Sequence, residues 1–140
     1  MKKIAILMAA VAAFFSCAPK SDVVLLPAAD FEKEIDGKQV ALYTLQEGDI
    51  TMQVTNFGAR VVTLWTPDKN GNHEDIVLGY NKIDTYVNNP GERFLGAVVG
   101  PYANRIADGT FTLDGVTYEL PKSNNGQTLH GGLKGLDMVV

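Results

Sequence analysis

The sequence predicts an all-β fold, a sandwich or a barrel, and three observations carry that prediction. Beyond residue 30 the apolar residues fall in short runs of strand length, bounded by Gly, Pro, Asn and Asp turns. No eleven-residue stretch of that region holds a 3.6-residue apolar period. One segment, TFTLDGVTYEL, fits turn chemistry and strand patterning at a single register.

In chain order, the first element is no part of the globule. Met1-Lys2-Lys3 is a charged start, Ile4 to Phe15 is an apolar run, and Ser16-Cys17 closes it. The run falls short of the about 20 apolar residues that span a bilayer and has the layout of a secretory signal. Cys17 is the only cysteine of the 140 residues, so no internal disulfide is expected. Its place after a small residue resembles a bacterial lipoprotein signal, although Phe14 and Phe15 are bulkier than the usual residues there. That resemblance implies a signal peptide over residues 1–16 and a lipidated Cys17 leading a tether over 17–30. It also implies a periplasmic or outer-membrane lipoprotein of a Gram-negative bacterium, held to the membrane by the lipid on Cys17. The alternative is an ordinary secretory signal cut nearby. Loss of residues 1–16 removes Lys2 and Lys3 and no acid, moving the net charge from −4 to −6. Such a domain offers no electrostatic reason to bind nucleic acid.

Residues 31–140 carry the strands. Gln39–Leu45 alternates as a strand does, and Asp49–Thr55 follows after Glu47-Gly48, a natural turn. Arg60–Thr66 (RVVTLWT) is β-branched and aromatic, and Pro67-Asp68-Lys69-Asn70-Gly71 closes it with strong turn chemistry. Asp75–Tyr80 (DIVLGY) and Phe94–Gly100 (FLGAVVG) read as buried strands. In TFTLDGVTYEL, Asp114-Gly115 is a favoured two-residue turn that sets Leu113 against Val116, Thr112 against Thr117 and Phe111 against Tyr118. Phe111, Leu113, Val116 and Tyr118 then share one face. The final GLKGLDMVV reads as strand, which predicts that the chain is the N-terminal part of something longer.

Two stretches interrupt the strand pattern. In GPYANRIADG, Arg105 follows Asn104 at the end of an apolar run, where its five-donor fork can point into a cavity or pair with Asp108. In NNGQTLHGG, His130 is backed by two glycines, which suggests a backbone that passes close to a ligand or a neighbouring strand. Three roles are open to His130: a ligand to substrate hydroxyls, a general acid or base, or a satisfied core residue. His73 reads as a solvated loop residue, Trp65 as core, and Tyr102 as a candidate stacking platform. Two distant histidines and Cys17 do not make a zinc site, and there is neither a phosphate-cradling loop nor a serine elbow.

Together NFGARVVTLWTPDKNG, DIVLGY, GAVVGPYANRIADGTFTLDGVTYEL and NNGQTLHGGLKGLD resemble the aldose 1-epimerase (galactose mutarotase) family, collinearly from about Leu42 onwards. The resemblance implies an antiparallel β-sandwich of the galactose mutarotase type, of which these residues form the N-terminal part. It implies interconversion of the α and β anomers of free aldoses such as galactose and glucose, with neither metal nor organic cofactor. The family's general acid histidine and general base glutamate match no residue here, so no catalytic residue is expected within this chain, and the chain is expected to be inactive alone. Asn104, Arg105 and His130 match the family's sugar-binding positions, while Pro101 departs from the arginine common at its place. The alternative from another class is a non-catalytic carbohydrate-binding module of the same fold.

Overall fold

The computed structural model describes residues 22–88 and 91–140. The predicted signal peptide and Cys17 lie outside the described residues.

All strand pairing among the described residues is antiparallel. A first hairpin joins β1 (Lys33–Ile35) to β2 (Lys38–Val40) through Asp36-Gly37, both at positive φ as a tight two-residue turn requires. The main sheet has the order β3-β4-β5-β6, built from β3 (Leu42–Glu47), β4 (Ile50–Thr55), β5 (Arg60–Pro67) and β6 (His73–Asp75). A bulge at Gln53/Val54 shifts the β4–β5 register by one residue. One short helix, α1 (Ile83–Asn88), follows.

The face of the main sheet that is covered carries Thr51, Gln53, Thr55 and Thr63, all buried. Burial of Gln53, Thr55 and Thr63 is tolerable because their side chains are bonded, Thr55 Oγ1 accepting the Phe57 N–H at 3.3 Å and Thr63 Oγ1 lying 3.4 Å from Gln53 Oε1. Gln53 accepts the Leu26 N–H at 2.9 Å and donates to the Leu26 carbonyl at 3.1 Å, so the chain packs from Leu26 onwards. The apolar core (Phe31, Val40, Phe57, Val62, Ile83 and Tyr86) lies beside them. On the opposite face Tyr43, Leu45 and Ile50 stand about half exposed.

Three predicted strands depart from expectation for local reasons. Gln39–Leu45 breaks at Ala41, where the Asn56 side chain accepts the Ala41 N–H and donates to the Gln39 carbonyl, both at 2.9 Å. DIVLGY leaves the sheet after Asp75, whose carboxylate takes the N–H groups of Leu64 and Val77 in place of a ladder partner. Ile76 and Leu78 are consequently 64% and 79% exposed. FLGAVVG turns at Gly96, where φ is +64° and any Cβ would strike the Val61 carbonyl, and it then touches the sheet by single bonds only. The final segment also differs, winding through 3-10 turns at Gly132–Lys134 and Leu136–Met138 before two extended residues. His73 is not a solvated loop residue. It sits in β6 with Nε2 2.9 Å from the Asp49 carbonyl. The predicted turn after Pro67 does form, and the Asn72 backbone N–H on the Asp68 carboxylate holds that group below the usual carboxylate range.

The predicted hairpin of β8 (Thr110–Leu113) and β9 (Val116–Glu119) forms at the predicted register, with Phe111 stacked on Tyr118 and Thr112 bonded to Thr117. Between it and the main sheet lie β7 (Arg105–Ile106) and β10 (Thr128–Leu129), paired Leu129 to Arg105 and Thr128 to Ile106. That two-rung ladder joins the two stretches that interrupted the strand pattern.

Candidate functional site

The pairing of β7 with β10 places Asn104 and Arg105 beside His130 although 25 residues of chain separate Arg105 from His130. The contact is then locked by a reciprocal clasp. The Asn104 backbone N–H donates to His130 Nδ1 at 2.9 Å, and the His130 backbone N–H donates to the Asn104 carbonyl at 2.9 Å. Because Nδ1 is the acceptor of an N–H, the ring proton of a neutral His130 resides on Nε2. The imidazole is therefore a donor to whatever lies at its outer edge. Its ring packs edge-on to Phe94, with centroids 4.7 Å apart.

The Arg105 fork is aimed by two amides. Nε and Nη2 donate to Asn124 Oδ1 at 3.3 and 3.1 Å, and Nη1 donates to Asn104 Oδ1 at 3.3 Å. The alternative ion pair with Asp108 is not formed. With its oxygen taken by Arg105, the Asn104 side chain keeps its amide N–H groups for another acceptor. Asn124 belongs to a tight turn in which Asn124 and Gln127 exchange backbone hydrogen bonds at 2.9 Å and Asn125-Gly126 take positive φ. The Asn-Asn-Gly sequence signals that turn, but nothing in it announces that Asn124 reaches Arg105.

The glycines after His130 have a specific cause. His130, Gly131 and Gly132 run at φ +50°, +90° and +86°, three consecutive left-handed residues. A Cβ on Gly131 would also strike the Gly100 carbonyl. Only glycine meets both conditions at residue 131. The backbone thus passes close to Gly100-Pro101, the start of the other stretch, so the close approach is to an irregular segment rather than to a ligand or a strand.

Beside this cluster opens a cavity of about 620 Å³, lined by Arg105 and by Tyr102, Ile106, Phe111, Leu120 and Pro121 among others. Its walls are mostly apolar, with the Arg105 fork as the charged group, and none of its lining residues is a carboxylate. Tyr102 stands 58% exposed at this opening, whereas Trp65 is half-buried in β5 and does not line it. Such a site can hold a small, neutral molecule with several oxygens on one side and apolar surface on the other. Among the described residues no group of three His, Cys, Asp or Glu side chains is placed to hold a metal.

A support beneath the cluster escaped the sequence reading. Arg60 and Asp137 are both wholly buried. Asp137 takes Arg93 through both oxygens, Nε to Oδ2 at 2.6 Å and Nη2 to Oδ1 at 3.0 Å, and lies 3.8 Å from Arg60 Nη2. Burial pulls the Arg60 guanidinium below its ordinary value, and the Asp137 charge opposes that pull. The flanking glycines of GLKGLD mark a special backbone, but no local pattern links Asp137 to residues 44 and 77 positions away.

Comparison with known proteins gives the site its context. A family model described as aldose 1-epimerase matches residues 41–139. The chain is 43% identical over 100 residues to the "Probable aldose 1-epimerase" of Arthroderma benhamiae, covering 69% of this chain and 23% of that protein. It is 40% identical over 101 residues to the galactose mutarotase of Bos taurus, covering 72% of this chain and 29% of the relative. Among solved structures, an aldose epimerase homologue from C. elegans matches with a TM-score of 0.64 at 35% identity, over 70% of this chain and 30% of that one. Galactose 1-epimerase from Lactobacillus acidophilus matches with a TM-score of 0.62 at 28% identity. The chain spans less than a third of the length of these relatives. With the family model matched over most of its length and an antiparallel fold shared with solved members, the chain belongs to the aldose 1-epimerase family.

Proposed function

We propose that this chain is the sugar-binding portion of an exported aldose 1-epimerase that interconverts the α and β anomers of free hexoses such as galactose and glucose. The observation that carries the reading is the cluster of Asn104, Arg105 and His130, each with N–H donors to spare, of which Arg105 lines the adjoining cavity. A pyranose presents hydroxyl and ring oxygens along one edge and C–H surface on its faces. The Arg105 fork, the Asn104 amide and His130 Nε2–H suit the oxygens, and Tyr102 and Phe111 suit the C–H faces.

Mutarotation needs a base that takes the anomeric O–H proton and an acid that protonates the ring oxygen, so that the ring C–O bond breaks. Rotation about C1–C2 and reclosure then give the other anomer. Arg105 and His130 supply positive potential and N–H donors to oxygens whose charge changes in this sequence. Neither can be the base, since arginine stays protonated and His130 Nδ1 is already occupied. With no carboxylate lining the cavity, the 140-residue chain binds an aldose without turning it over. Polarimetry on freshly dissolved α-galactose should show the buffer rate with this chain alone, and acceleration above buffer would overturn the reading.

The absence of that carboxylate from the lining is also what favours the second reading, a non-catalytic carbohydrate-binding module. Codons downstream of Val140 that encode a histidine in a strand context and a late glutamate would decide for the enzyme. The placement at the membrane rests on the Met1–Cys17 pattern: Cys17 carries lipid, and the residues from 17 up to the packed Leu26 tether the domain, a shorter tether than the 17–30 expected from the sequence. Palmitate labelling that is lost in Cys17→Ser is the expected result.

A further inference from the structure

We infer that Arg93 and Asp137 are positioning residues for His130, holding its imidazole at the angle from which Nε2–H donates. The consequence for ligand binding rests on the sugar reading above, whereas the positioning itself rests on geometry alone.

His130 occupies a costly conformation. It is the one residue with a side chain in a run of three at positive φ, and a non-glycine residue there persists where the surroundings over-determine it. Two supports meet the residue: the Phe94 ring under its imidazole and the backbone of residues 131–133 behind it. One side chain touches both. The Arg93 guanidinium lies over the Phe94 ring, 5.0 Å from its centroid, and donates to the carbonyls of Gly132 and Leu133 at 3.4 Å each. Nε and Nη2 also donate to the two oxygens of Asp137.

Asp137 in turn is fixed to the sheet. Its carbonyl accepts from Arg60 Nη2 at 2.9 Å, while Arg60 Nη1 donates to the carbonyls of Arg93 and Leu95 at 2.9 Å. Arg60 is the first residue of β5, so a continuous set of bonds runs from the main sheet through Arg60 and Asp137 to Arg93 and the back of His130. Fold stability alone does not call for such a set. Buried ion pairs can often be replaced by apolar side chains of similar volume at no loss of stability. What a planar fork with fixed donors provides is orientation. The surface pair Lys134–Asp36, in the same turn as Leu133, lacks that link to the imidazole and serves as the control.

The test uses the ¹⁵N-labelled chain and the long-range ¹H–¹⁵N spectrum of the His130 ring, together with titration by D-galactose. The native ring should show a single Nε2–H form. Arg93→Gln and Phe94→Leu should each shift both ring nitrogens towards an averaged pattern and weaken galactose binding by about tenfold. Arg93→Lys should restore part of the native pattern, and Lys134→Gln should leave it intact. The ring signals of the core residues Phe31 and Tyr86 report whether a variant keeps its fold. Phe94→Leu leaves every buried ion in place, so it decides the matter if Arg93→Gln does not fold. A native ring pattern in Phe94→Leu, or in folded Arg93→Gln, would overturn the inference. If the ring patterns change as expected but the native chain shows no saturable response to galactose, the positioning stands and the sugar reading fails.

Discussion

A single nitrogen decides what His130 can do. With Nδ1 accepting the Asn104 backbone N–H, the ring has one free edge, and that edge donates. Arg105, held between Asn104 and Asn124, donates beside it. Under the proposed function, Arg105→Ala and His130→Ala are each expected to weaken galactose binding by about 10–100-fold, the range for losing a hydrogen bond from a charged or well-placed donor. His73→Ala should have little effect, since His73 lies in β6 and lines no part of the cavity. Gly131→Ala should lower stability by about 2 kcal/mol, because it meets both positive φ and the Gly100 carbonyl. A urea midpoint near the native value would contradict the clash. At this scale the sequence showed Asn104, Arg105 and His130 because their motifs are local. It hid Arg93, Asp137 and Asn124, whose partners are distant in sequence and, for Arg93, include main-chain carbonyls.

Elements were legible where turn and pattern agreed. Asp114-Gly115 and its flanking residues specify one register, and the hairpin forms at that register. DIVLGY and FLGAVVG misled because apolar composition says nothing about which partner satisfies the backbone. The Asp75 carboxylate and the turn at Gly96 take bonds that a ladder would have used, and both depend on tertiary neighbours. The elements should also differ in permanence. β4 is paired on both sides, whereas β8 and β9 have only each other and expose Phe111, Leu113, Val116 and Tyr118. Two-stranded hairpins are marginal alone. Native-state hydrogen exchange should therefore find the central amides of β4 slowest and those of β8 and β9 fast. Equal protection in the hairpin would mean that its apolar face is covered in solution.

At the scale of the molecule, the described residues form one antiparallel sheet with a core on one side and a second, hairpin-walled region beside it. The ladder of β7 with β10 joins these parts, and the candidate site lies there. The chain spans less than a third of its relatives and yet brings three N–H donors, those of Asn104, Arg105 and His130, together beside a cavity with no carboxylate among its lining residues. Titration of the ¹⁵N-labelled chain with D-galactose tests this most directly. The account predicts saturable shifts at the Asn104 side-chain amide, Arg105 Nε–H and His130 Nε2–H, all lost in Arg105→Ala. No saturable change at these groups, or an undiminished response in Arg105→Ala, would contradict it.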